Sequence, residues 1–277
     1  MSQELKLRVL SGLVMAALVL AATWYGGMAF AILSVLIGLL VYFEWASMTG
    51  LGQRDPEGRA LGWLAVVSTG ISVLVADLET SLVTLLIFTV LAAGWAQFRG
   101  RSHWLTAGIV YSGLTAIALA AIRGESAVGL VAMLFVFAVV WSTDILAYFV
   151  GRAIGGPKLA PRISPGKTWS GAIGGAFFGI VGGVAVYLSY FASFSVRIVL
   201  LALALSCASQ VGDLFESFIK RRFGVKDSSH LIPGHGGVMD RVDGLVFACF
   251  AALLLAVAQT YLYAEQARSV GALLLGR

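Results

Sequence analysis

Charge is what this chain lacks. Only 12% of its 277 residues are Asp, Glu, Lys or Arg, where a soluble chain carries about 25%. With 59% hydrophobic residues and a mean hydropathy of +0.92, most of the surface must face something other than water, which excludes an ordinary soluble domain. Cysteine is scarce as well: Cys207 and Cys249 both sit inside apolar runs, where a thiol packs as a small apolar group. No long polar stretch marks an inserted soluble domain. The net charge of +5 would suggest nucleic acid in a soluble protein, but here the basic residues fall in short loops between apolar runs, so no nucleic-acid partner is expected.

What is present is a series of apolar runs. A spanning helix needs roughly 20 predominantly apolar residues, and about nine segments qualify: 9–25, 28–46, 60–76, 80–97, 104–122, 127–149, 171–192, 197–215 and 244–263. The first follows a short basic N-terminus. It is long for the apolar core of a signal peptide, and equally apolar runs recur, so it reads as the first span. The expected fold is all-α, a polytopic integral membrane protein forming one membrane domain over 1–277, with N-terminal spans in 1–130 and the chemistry in 131–277.

The basic residues orient the chain. With the N-terminus cytoplasmic, that side collects Lys6, Arg8, Arg54, Arg59, Arg99, Arg101, Arg152, Lys158, Arg162, Lys167, Lys220, Arg221, Arg222, Lys226 and Arg241. The other side holds Arg123, Arg197, Arg268 and Arg277, and the loop with Asp77 and Glu79 has no basic residue. This asymmetry follows the positive-inside rule. It places the two longest polar segments, 151–170 and 216–243, on the cytoplasmic side, where nucleotides are.

Within 216–243 and the helix entering it, Asp213, Glu216, Ser217 and Lys220 recur at helical spacing on one face, and Asp240 and Asp243 are three apart at the entry to the last span. Ionisable residues at span ends are costly unless paired, hydrated or bound to ions, which makes them functional candidates. Asp213, Asp240 and Asp243 together suit a hard cation such as Mg2+, and two ions if bridged. The bland alternative is that they neutralise the neighbouring lysines and arginines. Between them Pro233 to Gly237 reads P-G-H-G-G, a backbone able to turn N–H groups toward a phosphate around His235, Gly236 and Gly237.

The segment 151–170 contains no acidic residue. In it Ser164, Lys167 and Thr168 of S-P-G-K-T are spaced to hold a phosphate, while Arg152 and Lys158 are accounted for by attraction to anionic headgroups. Asp144, beside Ser142 and Thr143, is a further candidate. Gly175, Gly179 and Gly183 line one face of the seventh span. Such a face serves close helix packing within the chain, or a homodimer.

The run S-F-I-K-R-R-F-G-V-K-D-S-S-H-L-I-P-G-H-G-G-V-M-D-R-V-D, Ser217 to Asp243, resembles the signature of phosphatidate cytidylyltransferases. W-S-T-D-I-L-A-Y-F-V-G-R and S-P-G-K-T-W-S-G resemble their upstream region; the first 130 residues match only as a series of spans. The family commonly carries glutamate where this chain has Ser170. The resemblance implies transfer of a cytidylyl group from CTP to phosphatidate, giving CDP-diacylglycerol for phospholipid biosynthesis at the cytoplasmic face of a bacterial inner membrane. It further implies metal on Asp213, Asp240 and Asp243, catalytic roles for these and for Lys220, Lys226 and Arg241, and substrate contacts from Ser164, Lys167, Thr168, Ser217, Arg221, His235, Gly236 and Gly237. Alternatives within enzymes are a cytidylyltransferase for an isoprenoid-ether lipid and a polyprenol kinase. An ion-coupled transporter is disfavoured, because the charges cluster on one side and the halves do not repeat.

Overall fold

The computed structural model describes residues 3–263 other than Pro233, and 269–276; of 3–9 and 260–263 it describes the backbone alone. The side chains of Lys6 and Arg8, together with Pro233, Arg268 and Arg277, therefore lie outside the described residues.

The chain is a succession of helices: α1 (Gln3–Tyr25), α2 (Gly27–Met48), α3 (Leu51–Arg54), α4 (Pro56–Val75), α5 (Leu78–Phe98), α6 (Trp104–Arg123) and α7 (Ala127–Ile154). A hairpin of β1 (Lys158–Ala160) and β2 (Ser164–Thr168) follows, then α8 (Trp169–Tyr190), α9 (Val196–Arg222), α10 (Met239–Tyr263) and the short α11 (Val270–Leu275). Eight of these helices are long and apolar enough to cross a membrane, and α1 contributes the shorter apolar stretch Leu10–Tyr25. Ile173, Phe177, Leu86 and Val90 stand outward on their helices. Apolar faces of that extent belong in hydrocarbon, where they cost nothing to expose. The protein is an integral membrane protein.

The chain divides into two compact units, one of residues 1–121 with 223–241, the other of 122–222 with 242–277. In the first unit, Trp45 of α2 is fully buried and donates its indole N–H to the Trp104 carbonyl at 2.9 Å. Gly38, Gly108 and Gly113 let α2, α5 and α6 approach: a Cβ on Gly108 would lie 2.5 Å from the Trp45 ring, and one on Gly113 2.5 Å from Leu85. Asp55 caps α4 by accepting from Gly58 N at 3.0 Å and takes the Trp95 indole N–H at 3.1 Å, tying α4 to α5.

In the second unit α7 packs most extensively on α8. The glycine face of α8 is the reason: a Cβ on Gly175 would meet the Thr143 carbonyl at 2.8 Å, on Gly179 the Thr143 hydroxyl at 2.3 Å, and on Gly183 the Val139 side chain at 2.6 Å. That face is occupied by α7 of the same chain, so the glycines give no argument for a homodimer. Thr143 also shares a buried hydrogen bond of 2.8 Å with Ser206 of α9.

Two features depart from the expected spans. Helix α7 continues past 149 to Ile154, ending where Gly155 and Gly156 take positive φ values of 68° and 103°, a backbone that β-carbons resist. The segment beyond is not an open loop but a hairpin, with Lys158 opposite Thr168 and Ala160 opposite Ser164. Its ladder satisfies backbone groups that would otherwise need water at the membrane surface.

Candidate functional site

The residues singled out in the sequence divide between the two units. In the second unit, β2 carries Lys167 to the wall of a cleft of about 620 Å3 whose lining includes Asp144, Tyr148, Arg152, Lys158, Gln210 and Asp213. Lys167 Nζ is ion-paired with Asp213 Oδ2 of α9, both side chains about one-third exposed or less. The hairpin holds Lys167 there because it is pinned at both ends. Trp169 N donates to the Pro157 carbonyl at 3.0 Å, and Ser170 donates its hydroxyl to the Gly155 carbonyl. Ser170, where the family's glutamate would stand, thus ties the hairpin to the end of α7. Thr168 also acts locally, since its hydroxyl accepts from Gly171 N at 3.1 Å and caps α8. Ser164, at the hairpin's other end, is not among the described residues lining the cleft.

Along α9 the expected face forms. Ser217 Oγ lies 3.5 Å from Asp213 Oδ1, one turn apart, and Lys220 Nζ lies 3.3 Å from Oε2 of the fully buried Glu216. Lys220, Arg221 and Arg222 occupy the last turn, where cations favour the helix dipole. Gly212 lets α10 approach α9, since a Cβ there would lie 2.6 Å from the Asp243 carbonyl. That approach brings the Asp243 carboxyl into hydrogen-bonding contact with Glu216 and within electrostatic reach of Asp213 and Lys220. Asp144 of α7 senses the charges of Asp213, Asp243 and Lys167. Four acids from three helices thus share one neighbourhood, with Lys167 at Asp213 and Lys220 at Glu216 as the cations beside them.

No three His, Cys, Asp or Glu side chains among the described residues converge on one ion-sized point. Magnesium in nucleotide enzymes takes one or two carboxylates and completes its shell with water and substrate phosphates. The all-oxygen pair Asp213 and Asp243 fits that requirement by type and neighbourhood.

In the first unit, the chain from Phe223 to Arg241 is ordered by carboxylates. Phe223 packs edge-on against Trp104, centroids 5.0 Å apart. The glycine turn closes with Ile232 N donating to the Gly236 carbonyl at 2.8 Å and His235 N to the Ile232 carbonyl at 2.9 Å; Gly236 sits at φ 80°. The His235 ring contacts Ser11 Oγ of α1 through Nδ1 at 2.9 Å. Asp240 Oδ2 accepts three hydrogen bonds, from Ser228 N at 2.8 Å, Ser228 Oγ at 2.8 Å and Gly237 N at 2.9 Å. Lys226 and Arg241 are exposed at the rim of this segment.

Sequence reasoning passed over Glu44. This residue of α2 is fully buried, and both its oxygens are taken by the same segment: Oε1 by Ser229 Oγ at 2.6 Å and Val238 N at 2.8 Å, Oε2 by Met239 N at 2.7 Å, with Ser228 Oγ 3.1 Å from Oε2 and its one proton shared with Asp240. A signal existed in the sequence, for Glu44 is the one acid inside the apolar run 28–46, and an ionisable group within a span is a functional candidate.

Residues 6–258 match the cytidylyltransferase family. The chain is 46% identical over 256 residues to a phosphatidate cytidylyltransferase of Brucella abortus, covering 91% of this chain and 92% of that protein. It is 34% identical over 257 residues to the phosphatidate cytidylyltransferase of Bacillus subtilis, with 88% and 94% covered, and 30% identical over 252 residues to that of Rickettsia felis, with 88% of each covered. A match running through nearly every helix described above, and through both units, means that this chain belongs to the cytidylyltransferase family.

Proposed function

We propose that this protein transfers the cytidylyl group of CTP to phosphatidate, giving CDP-diacylglycerol and pyrophosphate for phospholipid synthesis, at the cytoplasmic face of a bacterial inner membrane. The supporting observation is the cleft in which Lys167 is ion-paired with Asp213, and Asp144 and Arg152 share the lining. Cations and carboxylates in one depression at the end of apolar helices suit a triphosphate, its counter-ion and a headgroup arriving from the bilayer.

The reaction forms a bond between a phosphatidate phosphate oxygen and the α-phosphorus of CTP, and breaks the bond from that phosphorus to the bridging oxygen of the departing pyrophosphate. The nucleophile is already ionised at neutral pH, so no general base is assigned, and His235 is placed in the glycine turn, held by Ser11. The protein contributes alignment and charge compensation. Lys167 moves from the Asp213 carboxylate to a phosphate oxygen when the nucleotide enters, and Asp213 is then released to other cations. Asp213 and Asp243 would hold magnesium. When bound, magnesium neutralises charge on the attacking and leaving oxygens. Asp240 orders the turn from Ser228 to Gly237 through the three hydrogen bonds it accepts.

The deciding experiment is pyrophosphate release from CTP by the purified protein in mixed micelles. Release that needs both phosphatidate and magnesium supports the reading. Release of CDP with polyprenol as acceptor, or no pyrophosphate with phosphatidate, overturns it.

A further inference from the structure

Glu44 lies on α2, in the part of the chain where the sequence shows only a series of spans, and it belongs to none of the charged segments discussed above. A carboxylate offers about four acceptor positions, and Glu44 receives three donors of its own from one stretch of chain, the Ser229 hydroxyl and the consecutive backbone N–H groups of Val238 and Met239, with the Ser228 hydroxyl shared between it and Asp240. Those two N–H groups begin α10, where the first turn has no partner of its own and favours negative charge. Space is closed around the contact: a Cβ on Gly237 would lie 2.0 Å from Ser228 Oγ and 2.6 Å from Glu44 Oε1.

The link to Asp240 runs through Ser228. Its hydroxyl has one proton and stands 3.1 Å from Glu44 Oε2 and 2.8 Å from Asp240 Oδ2. Gly237 N, next in the chain to the Glu44-bound Val238, donates to the same Asp240 oxygen. Glu44 therefore holds the residues that hold Asp240.

We propose that Glu44 is a positioning residue for cytidylyl transfer, a template on the second helix that sets the conformation of residues 228–240 and through them the Asp240 carboxylate. The proposal rests on the reading of the Ser217–Asp243 segment as catalytic. Its chemistry makes glutamate irreplaceable by glutamine. Each oxygen receives a backbone N–H, which, unlike a hydroxyl, cannot reverse its direction. Whichever way a glutamine amide turns, its NH2 group confronts Val238 N or Met239 N.

The test uses the full chain in mixed micelles with CTP and phosphatidate. Glu44→Gln is expected to lower kcat about 10- to 100-fold, the order found when a contact that supports a site residue is lost. Hydrogen exchange at Ser228, Gly237, Val238 and Met239 is expected to accelerate at least about tenfold, with Ala65 and Val66 in the core of the same unit unchanged. Ser229→Ala, which removes one donor and leaves both N–H bonds, is the variant to use should Glu44→Gln not fold; it is expected to lower kcat about tenfold and to accelerate exchange at Val238. Wild-type kcat in either variant, or exchange rising equally at Ala65 and Val66, overturns the proposal. Asp240→Asn separates the two levels. Loss of turnover there with wild-type kcat in Glu44→Gln removes the template and leaves the catalytic reading standing; full turnover in Asp240→Asn removes the reading itself.

Discussion

Lys167 on the β2 strand is ion-paired with Asp213 on α9 across the wall of a cleft in the second unit. The two are 46 positions apart in sequence, and α8 lies between them in the chain. The pair holds the lysine at the wall of the cleft proposed above for the nucleotide and neutralises the acid there. Removing Lys167 leaves Asp213 facing the neighbouring acids Asp144 and Asp243.

Lys167→Met is accordingly expected to lower kcat/KM for CTP by about 100-fold or more, the order found when a charge-stabilising donor is removed. Steady-state pyrophosphate release checks it. Because Lys167 and Asp213 share one contact, the losses in Lys167→Met and Asp213→Asn are expected not to add in the double variant; simple additivity would show that the pair has no functional coupling.

Asp240→Asn is expected to abolish measurable turnover while the protein remains monodisperse in detergent. The carboxylate oxygen that accepts from Ser228 N, Ser228 Oγ and Gly237 N becomes an amide group in which charge assistance is lost, and that assistance roughly doubles a hydrogen bond's strength. Undiminished turnover would remove Asp240 from the machinery.

Lys158→Ala is expected to change turnover by less than about threefold, the size of a screened surface charge. Lys158 is exposed on β1, opposite Thr168. Complete loss in this variant would show that the β1 strand touches substrate.

Gly179→Val is expected to reduce thermal stability in detergent severely. The added Cβ alone would stand 2.3 Å from Thr143 Oγ1 and 3.3 Å from Ser206 Oγ, so α8 must leave α7 and break the Thr143–Ser206 bond; overpacking of this kind costs about 1–3 kcal/mol or more. A shift in melting temperature of less than about 2 °C would contradict the packing described.

The spans were legible because lipid imposes a single rule, an apolar run long enough to satisfy its own backbone in hydrocarbon. The i, i+4 relations along α9 were legible for a similar reason: Asp213 with Ser217 and Glu216 with Lys220 follow from helical geometry alone. The hairpin at 158–168 was not legible. A two-stranded ladder of so few residues, written in S-P-G-K-T, carries no period-2 pattern, and its stability comes from Ser170 and Trp169 contacting the end of α7 and the chain just beyond it.

By itself, then, the sequence determined the class of solvent, the helical fold and the family signature, since each depends on composition or on neighbours within one or two turns. Tertiary structure alone decided which charges meet. Lys167 could have paired with any of several acids, and Glu44 looked like a single blemish in an apolar run. Only the packing of α2 against the segment 228–239 shows that its carboxylate is fully used. Partnerships between residues nearly two hundred positions apart leave no periodic trace, because they are settled by how helices close on one another and by the requirement that every buried polar group find a partner.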